Sequence, residues 1–205
     1  MPVVTHRPEL TEPLIALSFD DGPSRQTPAV LDVLAEHDAH ATFFILGERI
    51  EGKEETLARI LAEGHEIGNH TFSHPHALNL DDGELSHDIA RCNRLLAFAD
   101  PVLMRPPYGE DPLRVSRIAA HIGLPTTALW SIDPQDFLET DPAAIARVIE
   151  TQAAPGAIVD LHDGWPRVTS SPRDRTATIE GLRLVLPRLA ERGFRMVTVS
   201  QLLSA

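Results

Sequence analysis

Two aspartates stand side by side in Ser18-Phe19-Asp20-Asp21-Gly22-Pro23. The apolar run before them, Leu14-Ile15-Ala16-Leu17, has the pattern of a buried strand, and Gly22-Pro23 would end it sharply. Adjacent carboxylates at a strand end resist joint ionisation, because like charges at close range repel. A divalent cation on one of them, with the other left to take a proton, removes that cost. A solvated Asp-Asp-Gly turn is the plain alternative. His70-Thr71-Phe72-Ser73-His74 sets two imidazoles four residues apart, on one face if the segment is a helical turn. Pro75 disfavours a helical His74, so an irregular turn is an equal reading. Two histidines and one aspartate suit a catalytic metal site that leaves positions open for water and substrate. With no thiolate among them, Zn²⁺ is the first choice, and Co²⁺, Ni²⁺, Mn²⁺ or Fe²⁺ also suit the set.

Further polar residues fall at comparable places. Arg105 precedes Pro106-Pro107-Tyr108-Gly109, where a guanidinium can hold a carboxylate bidentately; a surface ion pair is the alternative. His162, in Asp160-Leu161-His162-Asp163-Gly164, is a candidate general acid or else a buried structural histidine. Asp136 is a candidate orienting carboxylate for it, or a loop acid. His37 and His40 flank a helix end, where a cation suits the dipole. His65-Glu66 begins like the zinc-protease His-Glu-x-x-His motif, but the next histidine is His70, so that motif is absent.

The elements that would carry these residues alternate. Strands are expected at residues 14–19, 41–46, 66–69, 102–105, 126–130, 157–161 and 195–199. Helices are expected at 27–38, 54–63, 81–98, 112–122, 142–153 and 176–192, with a short one from about 200. Gly64, Gly123 and Gly193 read as helix C-terminal caps, and Asp111-Pro112 and Asp141-Pro142 as a capping aspartate before a first-turn proline. The alternation implies a parallel sheet with right-handed crossovers, open or closed into a barrel. No Gly-rich dinucleotide fingerprint follows the first strand. Residues 166–175 are the most loop-like internal stretch. Asp20, Asp21, His70, His74, Arg105, Asp133, Asp136 and His162 all fall at or after the C-terminal ends of strands, where α/β barrels build their active sites.

The 205 residues suit one domain, 1–205, with one sizeable core. The formal charge of −12, without a basic block, argues against nucleic acid and an anionic membrane surface as partners. No apolar run is long enough to span a bilayer. Without a basic-then-apolar leader at the start, the chain as it stands reads as cytoplasmic, or as secreted or periplasmic if a leader was removed. Cys92, the one cysteine, lies in helical register with Leu85, Ile89 and Leu96 and reads as a core thiol. Oligomeric state has no signature in the sequence.

Taken in order, Ser18-Phe19-Asp20-Asp21-Gly22-Pro23, His70-Thr71-Phe72-Ser73-His74, Arg105-Pro106-Pro107-Tyr108-Gly109, Asp133-Pro134-Gln135-Asp136-Phe137 and Leu161-His162 resemble the five motifs of the polysaccharide deacetylases, carbohydrate esterase family 4 or the NodB-homology domain. The resemblance runs from about Leu14 to Leu203. It implies an α/β fold, a deformed (β/α) barrel of seven or eight parallel strands, and metal-dependent removal of acetyl groups, usually from N-acetylglucosamine units of a glycan. By the resemblance Asp21, His70 and His74 bind the metal, Asp20 is the general base, Arg105 positions it and His162 is the general acid, paired with Asp136. The Tyr108 N–H is then an oxyanion donor, and Leu161 and Phe137 line the acyl pocket. Phe137 departs from the tryptophan usual in the family and narrows that wall; Trp165 is a candidate to compensate. An apolar pocket of this kind would favour acetyl over formyl. An O-acetyl esterase, a deformylase or amidohydrolase on a smaller substrate, and a silent glycan-binding domain are the alternatives. Retention of Asp20 and His162 weighs against the last.

Overall fold

The computed structural model describes residues 2–166 and 174–205. Its eight parallel strands are β1 (Val3–Val4), β2 (Leu14–Gly22), β3 (Ala41–Ile45), β4 (Glu66–Asn69), β5 (Leu103–Met104), β6 (Thr126–Ala128), β7 (Ile158–His162) and β8 (Arg195–Val197). They are joined in the order β1-β6-β5-β4-β3-β2-β7, and β8 pairs with the start of β2. Helices α1 (Thr27–Glu36), α2 (Glu54–Ala62), α3 (Asp82–Leu95), α4 (Pro112–His121), α5 (Pro142–Gln152), α6 (Thr176–Glu191) and α7 (Val199–Ser204) alternate with them. The segment after β6 returns to β7 through an Ile132–Val159 bridge, and the Asp160 N–H donates to the Ile132 carbonyl at 2.9 Å. With an antiparallel His6–Ala157 bridge from the segment after β1, that contact joins the β1-β6 side of the strand series to β7, so the ring is closed partly by irregular backbone: a deformed barrel.

Side-chain alternation along the strands sorts the interior from the helical layer. Ile15, Leu17 and Phe19 of β2, with Val159 and Leu161 of β7, pack into the large cluster beneath α1, α5 and α6. Leu14 and Ala16, with Phe44, Leu103, Ala128 and Ile158, fill the barrel interior, and Val199 and Leu202 of α7 pack into the same cluster. Further up, the same inward parity carries Ser18 and Asp20 on β2 and Asp160 and His162 on β7. The interior is therefore apolar at one end and ionisable at the other.

The expected elements are present, with shifts that have local causes. β1 is two residues long, too short for any periodicity, and exists by pairing with β6. β2 runs three residues past its expected end, to Gly22, because β3 and β7 supply partners on both sides. Asp141 caps α5 through the Ala143 N–H, whereas Asp111 adopts φ 42° and makes no side-chain cap on α4. Gly64, Gly123 and Gly193 take φ of 80°, 95° and 85° after their helices, the left-handed geometry a C-terminal cap requires. The expected helix at 81–98 ends as α3 at Leu95 and is followed by a 3₁₀ turn, Ala97–Ala99. Cys92 is fully buried. Most of the loop-like stretch at 166–175 lies outside the described residues. Among the described residues no helix is long and apolar enough to cross a membrane.

Candidate active site

Neighbouring residues on a strand normally point to opposite faces, so Asp20 and Asp21 should diverge. A register shift against β3 between Asp20 and Gly22, with Asp21 at φ 71°, breaks the alternation. Both carboxylates then reach the same mouth. His70 and His74 arrive on an irregular turn after β4 rather than on a helix, with Thr71 at φ 72° and His74 at φ 57°. Their rings sit 5.2 Å apart. Non-glycine residues in left-handed conformations cost energy and persist where surrounding structure over-determines them. Here Asn69 Oδ1 accepts from the Thr71 N–H at 2.8 Å, and Thr71 Oγ1 accepts from the His74 N–H at 3.1 Å.

Asp21, His70 and His74 are all buried and converge. Nε2 of His74 lies 3.2 Å and Nε2 of His70 3.6 Å from Asp21 Oδ1, a buried oxygen with no hydrogen-bond partner among the described residues. His70 Nδ1–H donates to the Arg105 carbonyl at 2.8 Å, which leaves its Nε2 lone pair facing inward. Burial holds the His70 pKa below its usual value, so the ring is neutral. Burial works against the Asp21 charge, but His74, His162 and His70 hold it well below the usual carboxylate range. An ionised oxygen without a donor and inward-facing imidazole nitrogens are the donor set a divalent cation takes. These residues fit a metal.

Asp20 Oδ1 accepts from Arg105 Nη1 at 2.9 Å, and its Oδ2 is 3.6 Å from His70 Nε2. Arg105 is fully buried. Its Nε donates to the Ala128 carbonyl and its Nη2 to the Leu129 carbonyl, each at 3.1 Å. Its face lies 4.1 Å from the Phe44 ring centroid. The expected bidentate clasp on one carboxylate is not what forms. Nη1 instead donates to Ser18 Oγ at 2.8 Å and to both Asp20 Oδ1 and Asp160 Oδ1 at 2.9 Å. The carbonyls already hold the other nitrogens, so one nitrogen serves two carboxylates.

On the opposite wall Asp136 Oδ1 pairs with His162 Nδ1 at 2.8 Å, and Asp136 Oδ2 accepts from the His162 N–H at 2.9 Å and from the Thr178 hydroxyl at 2.7 Å. Burial opposes a charge on His162, yet Asp136, with Asp160 and Asp21, lifts its pKa to about 10. With Nδ1 engaged, Nε2 is the free ring nitrogen. Tyr108 stands at φ 58° in the Pro107–Gly109 turn, its ring 4.6 Å from that of His74 and stacked on His76. The turn's hydrogen bonds run from Gly109 to Pro106 and from Glu110 to Pro107, and the Tyr108 N–H belongs to neither.

Asp20, Asp21, His70, His74, Tyr108 and His162 line a cleft of about 450 Å³ with Trp130, Asp133, Phe137, Leu138, Asp160, Trp165 and Arg175, while Arg105 and Asp136 stand behind it. Phe137 packs edge-on against His162 at 5.3 Å. Leu161 is not part of the cleft. It is fully buried in the cluster beneath the helices, one residue out of phase with His162. The inward position next to His162 belongs to Asp160, which no motif singled out. Strand parity alone would have found it, since Asp160 and His162 share a face.

The profile of the family described as polysaccharide deacetylase matches residues 7–127. The chain is 40% identical over 197 residues to a peptidoglycan-N-acetylglucosamine deacetylase of Bacillus cereus, covering 94% of this chain and 89% of that protein. The chain belongs to the polysaccharide deacetylase family. A chitooligosaccharide deacetylase of Bradyrhizobium is 36% identical, over 92% of this chain and 90% of its own. The crystal structure of a mutant of a family 4 pseudoenzyme from Bacillus anthracis, with restored enzymatic activity, superimposes with a TM-score of 0.85 at 26% identity, covering 98% of this chain and 71% of that one. Family relatives thus include both active and silent members, and the site residues must carry the argument for activity.

Proposed function

We propose that the chain is a metal-dependent hydrolase that removes N-acetyl groups from N-acetylglucosamine-containing glycans of the chitooligosaccharide or peptidoglycan type. The observation that carries the reading is the pairing of an Arg105-held Asp20 on one side of the cleft with an Asp136-held His162 on the other, around the Asp21-His70-His74 cluster. A silent binder would have no use for that opposed base and acid. The activities named for the Bacillus cereus and Bradyrhizobium relatives support the substrate class.

Asp21, His70 and His74 would hold the metal, with Zn²⁺ our first choice. When bound, such an ion lowers the pKa of a water and polarises a carbonyl. Asp20, fixed by Arg105 Nη1, takes the proton from the attacking water. The Tyr108 N–H donates to the oxygen that becomes negative as the amide carbon turns tetrahedral. His162 must then protonate the nitrogen, because an amine leaves an amide only as a neutral group. Its carboxylate partner keeps it protonated at neutral pH and in the orientation that turns Nε2 to the cleft. Phe137, Leu138 and Tyr108 are exposed around the mouth, 37%, 58% and 49%, and offer apolar surface to a sugar ring.

The test is acetate release by metal-loaded enzyme from chitooligosaccharides, peptidoglycan and acetylxylan. Release from the first two and not the third is expected. Release from acetylxylan alone would replace the N-deacetylase by the O-acetyl esterase, and release from none would leave the amidohydrolase on a smaller substrate and the silent binder.

A further inference from the structure

Asp160 is buried at the floor of the cleft, and beyond its charge beside His162 the hydrolysis above gives it no task. Its neighbours define where it acts. On β7 it pairs with Ser18, while His162, two residues on, pairs with Asp20 at the mouth. Two residues of strand are about 6.6 Å, so Asp160 lies below the acid and base on the same face. One ligand atom from each of Asp20, Asp160 and His162 lies within 4.8 Å of the others. A carbonyl attacked between Asp20 and His162 therefore has the Asp160 carboxyl beside it and deeper. A glycan chain cannot follow it there. Its rings stay at the mouth, and what extends past the carbonyl carbon is the acyl substituent.

We infer that Asp160 is the specificity-determining residue of the acyl subsite and that it selects an N-acyl group carrying a hydroxyl next to the carbonyl, N-glycolyl over N-acetyl. This rests on the deacylase reading of the same site. Asp160 Oδ1 accepts from Arg105 Nη1, and Oδ2 makes no hydrogen bond among the described residues. Burial and the Asp20 charge push the Asp160 carboxyl well above its ordinary pKa against the pull of Arg105. Either protonation state serves, since a carboxylate accepts from a hydroxyl and a carboxylic acid also donates to it. A methyl group does neither and leaves a buried polar group unpaired. The apolar wall that an acetyl-selective pocket would take from Leu161 faces the helices instead. The reaction stays a hydrolysis. The water oxygen bonds to the acyl carbon, and the C–N bond breaks with its electron pair left on nitrogen. That nitrogen takes a proton, and glycolate leaves in place of acetate.

The experiment compares kcat/KM of the metal-loaded enzyme on matched N-glycolyl and N-acetyl glucosamine oligomers, with calorimetric binding of glycolate and acetate alongside. The wild-type glycolyl-to-acetyl ratio is expected above one, falling roughly tenfold or more in Asp160→Leu, as loss of a hydrogen bond to a charged or acidic group implies. Asp160→Asn keeps hydrogen-bonding atoms at the same place and is expected to hold the ratio within about threefold. Glycolate should bind the wild type more tightly than acetate does. A wild-type ratio below one overturns the proposal whether or not the variants fold, and so does a ratio unmoved in Asp160→Leu. Hydrolysis of acetyl but not glycolyl substrate overturns the proposal alone; hydrolysis of neither overturns the deacylase reading with it.

Discussion

Asp20 and Asp21 are chemically identical and adjacent, yet their surroundings divide them. Asp21 faces both imidazoles, whereas Asp20 meets only that of His70 and is held by a guanidinium. Asp20→Asn is expected to keep the metal while slowing turnover roughly 10²–10⁴-fold, the usual contribution of a general base. Metal content measured on the purified variant checks the division: loss of the ion would make Asp20 a ligand. At His162 the relevant quantity is its raised pKa, about 10. An acid must be protonated to work, so activity should persist through neutral pH and fall as pH rises toward that value. Asp136→Asn removes the carboxylate that stabilises the imidazolium, so the alkaline limb of kcat/KM should move down in pH. An unmoved limb would separate the pair. The stability linkage has the same sign. A histidine whose folded pKa is raised from 6.5 to about 10 stabilises the fold fully below pH 6.5, and that contribution is lost as pH climbs through about 10.

At the scale of elements, β2 is the frame. It is buried over all nine residues and is paired by β3, β7 and β8. Its bulge turns one strand end into two functional carboxylates. The loop after β7 packs against that bulge closely enough that a Cβ on Gly164 would fall 2.1 Å from the Asp21 carbonyl oxygen. Backbone cannot rotate aside as a long side chain does. Gly164→Ala should therefore displace Asp21, cost about 1–3 kcal/mol of stability as an overpacked site, and weaken metal binding. Denaturant unfolding together with metal titration reads both. Unchanged values in each would show that the loop yields without moving the ligand.

For the whole molecule, closing the strand series brings the ends of β2, β7 and the turns after β4 and β5 around one cleft. A metal there binds only the folded chain, so it should stabilise the whole. With free metal at a hundredfold its Kd the gain is about 2.7 kcal/mol, or roughly 5–10 °C in Tm for a chain of this length. Chelation should lower Tm and added Zn²⁺ restore it, followed by calorimetry. A Tm indifferent to both would deny a metal site to the Asp21-His70-His74 cluster.

Much of this was legible in the linear chain. The β/α alternation follows from hydrophobic period, and five short motifs in order carried the family and the candidate residues Asp20, Asp21, His70, His74, Arg105, Asp136 and His162. Local chemistry marks such residues because ionisable side chains at apolar strand ends are costly unless used. What the motifs could not set was direction. Leu161 adjoins His162 in sequence but points to the helices, because successive residues on a strand face opposite ways. Asp20 and Asp21 should have diverged for the same reason and do not, because a bulge resets the phase. The sharing of Arg105 between Asp20 and Asp160 joins residues 55 and 85 positions away in the chain. The sequence by itself determined which side chains could do chemistry and that parallel strands would carry them. Only the tertiary structure decided which of them meet, since parity, bulge and ring closure are relations between strands that no single strand contains.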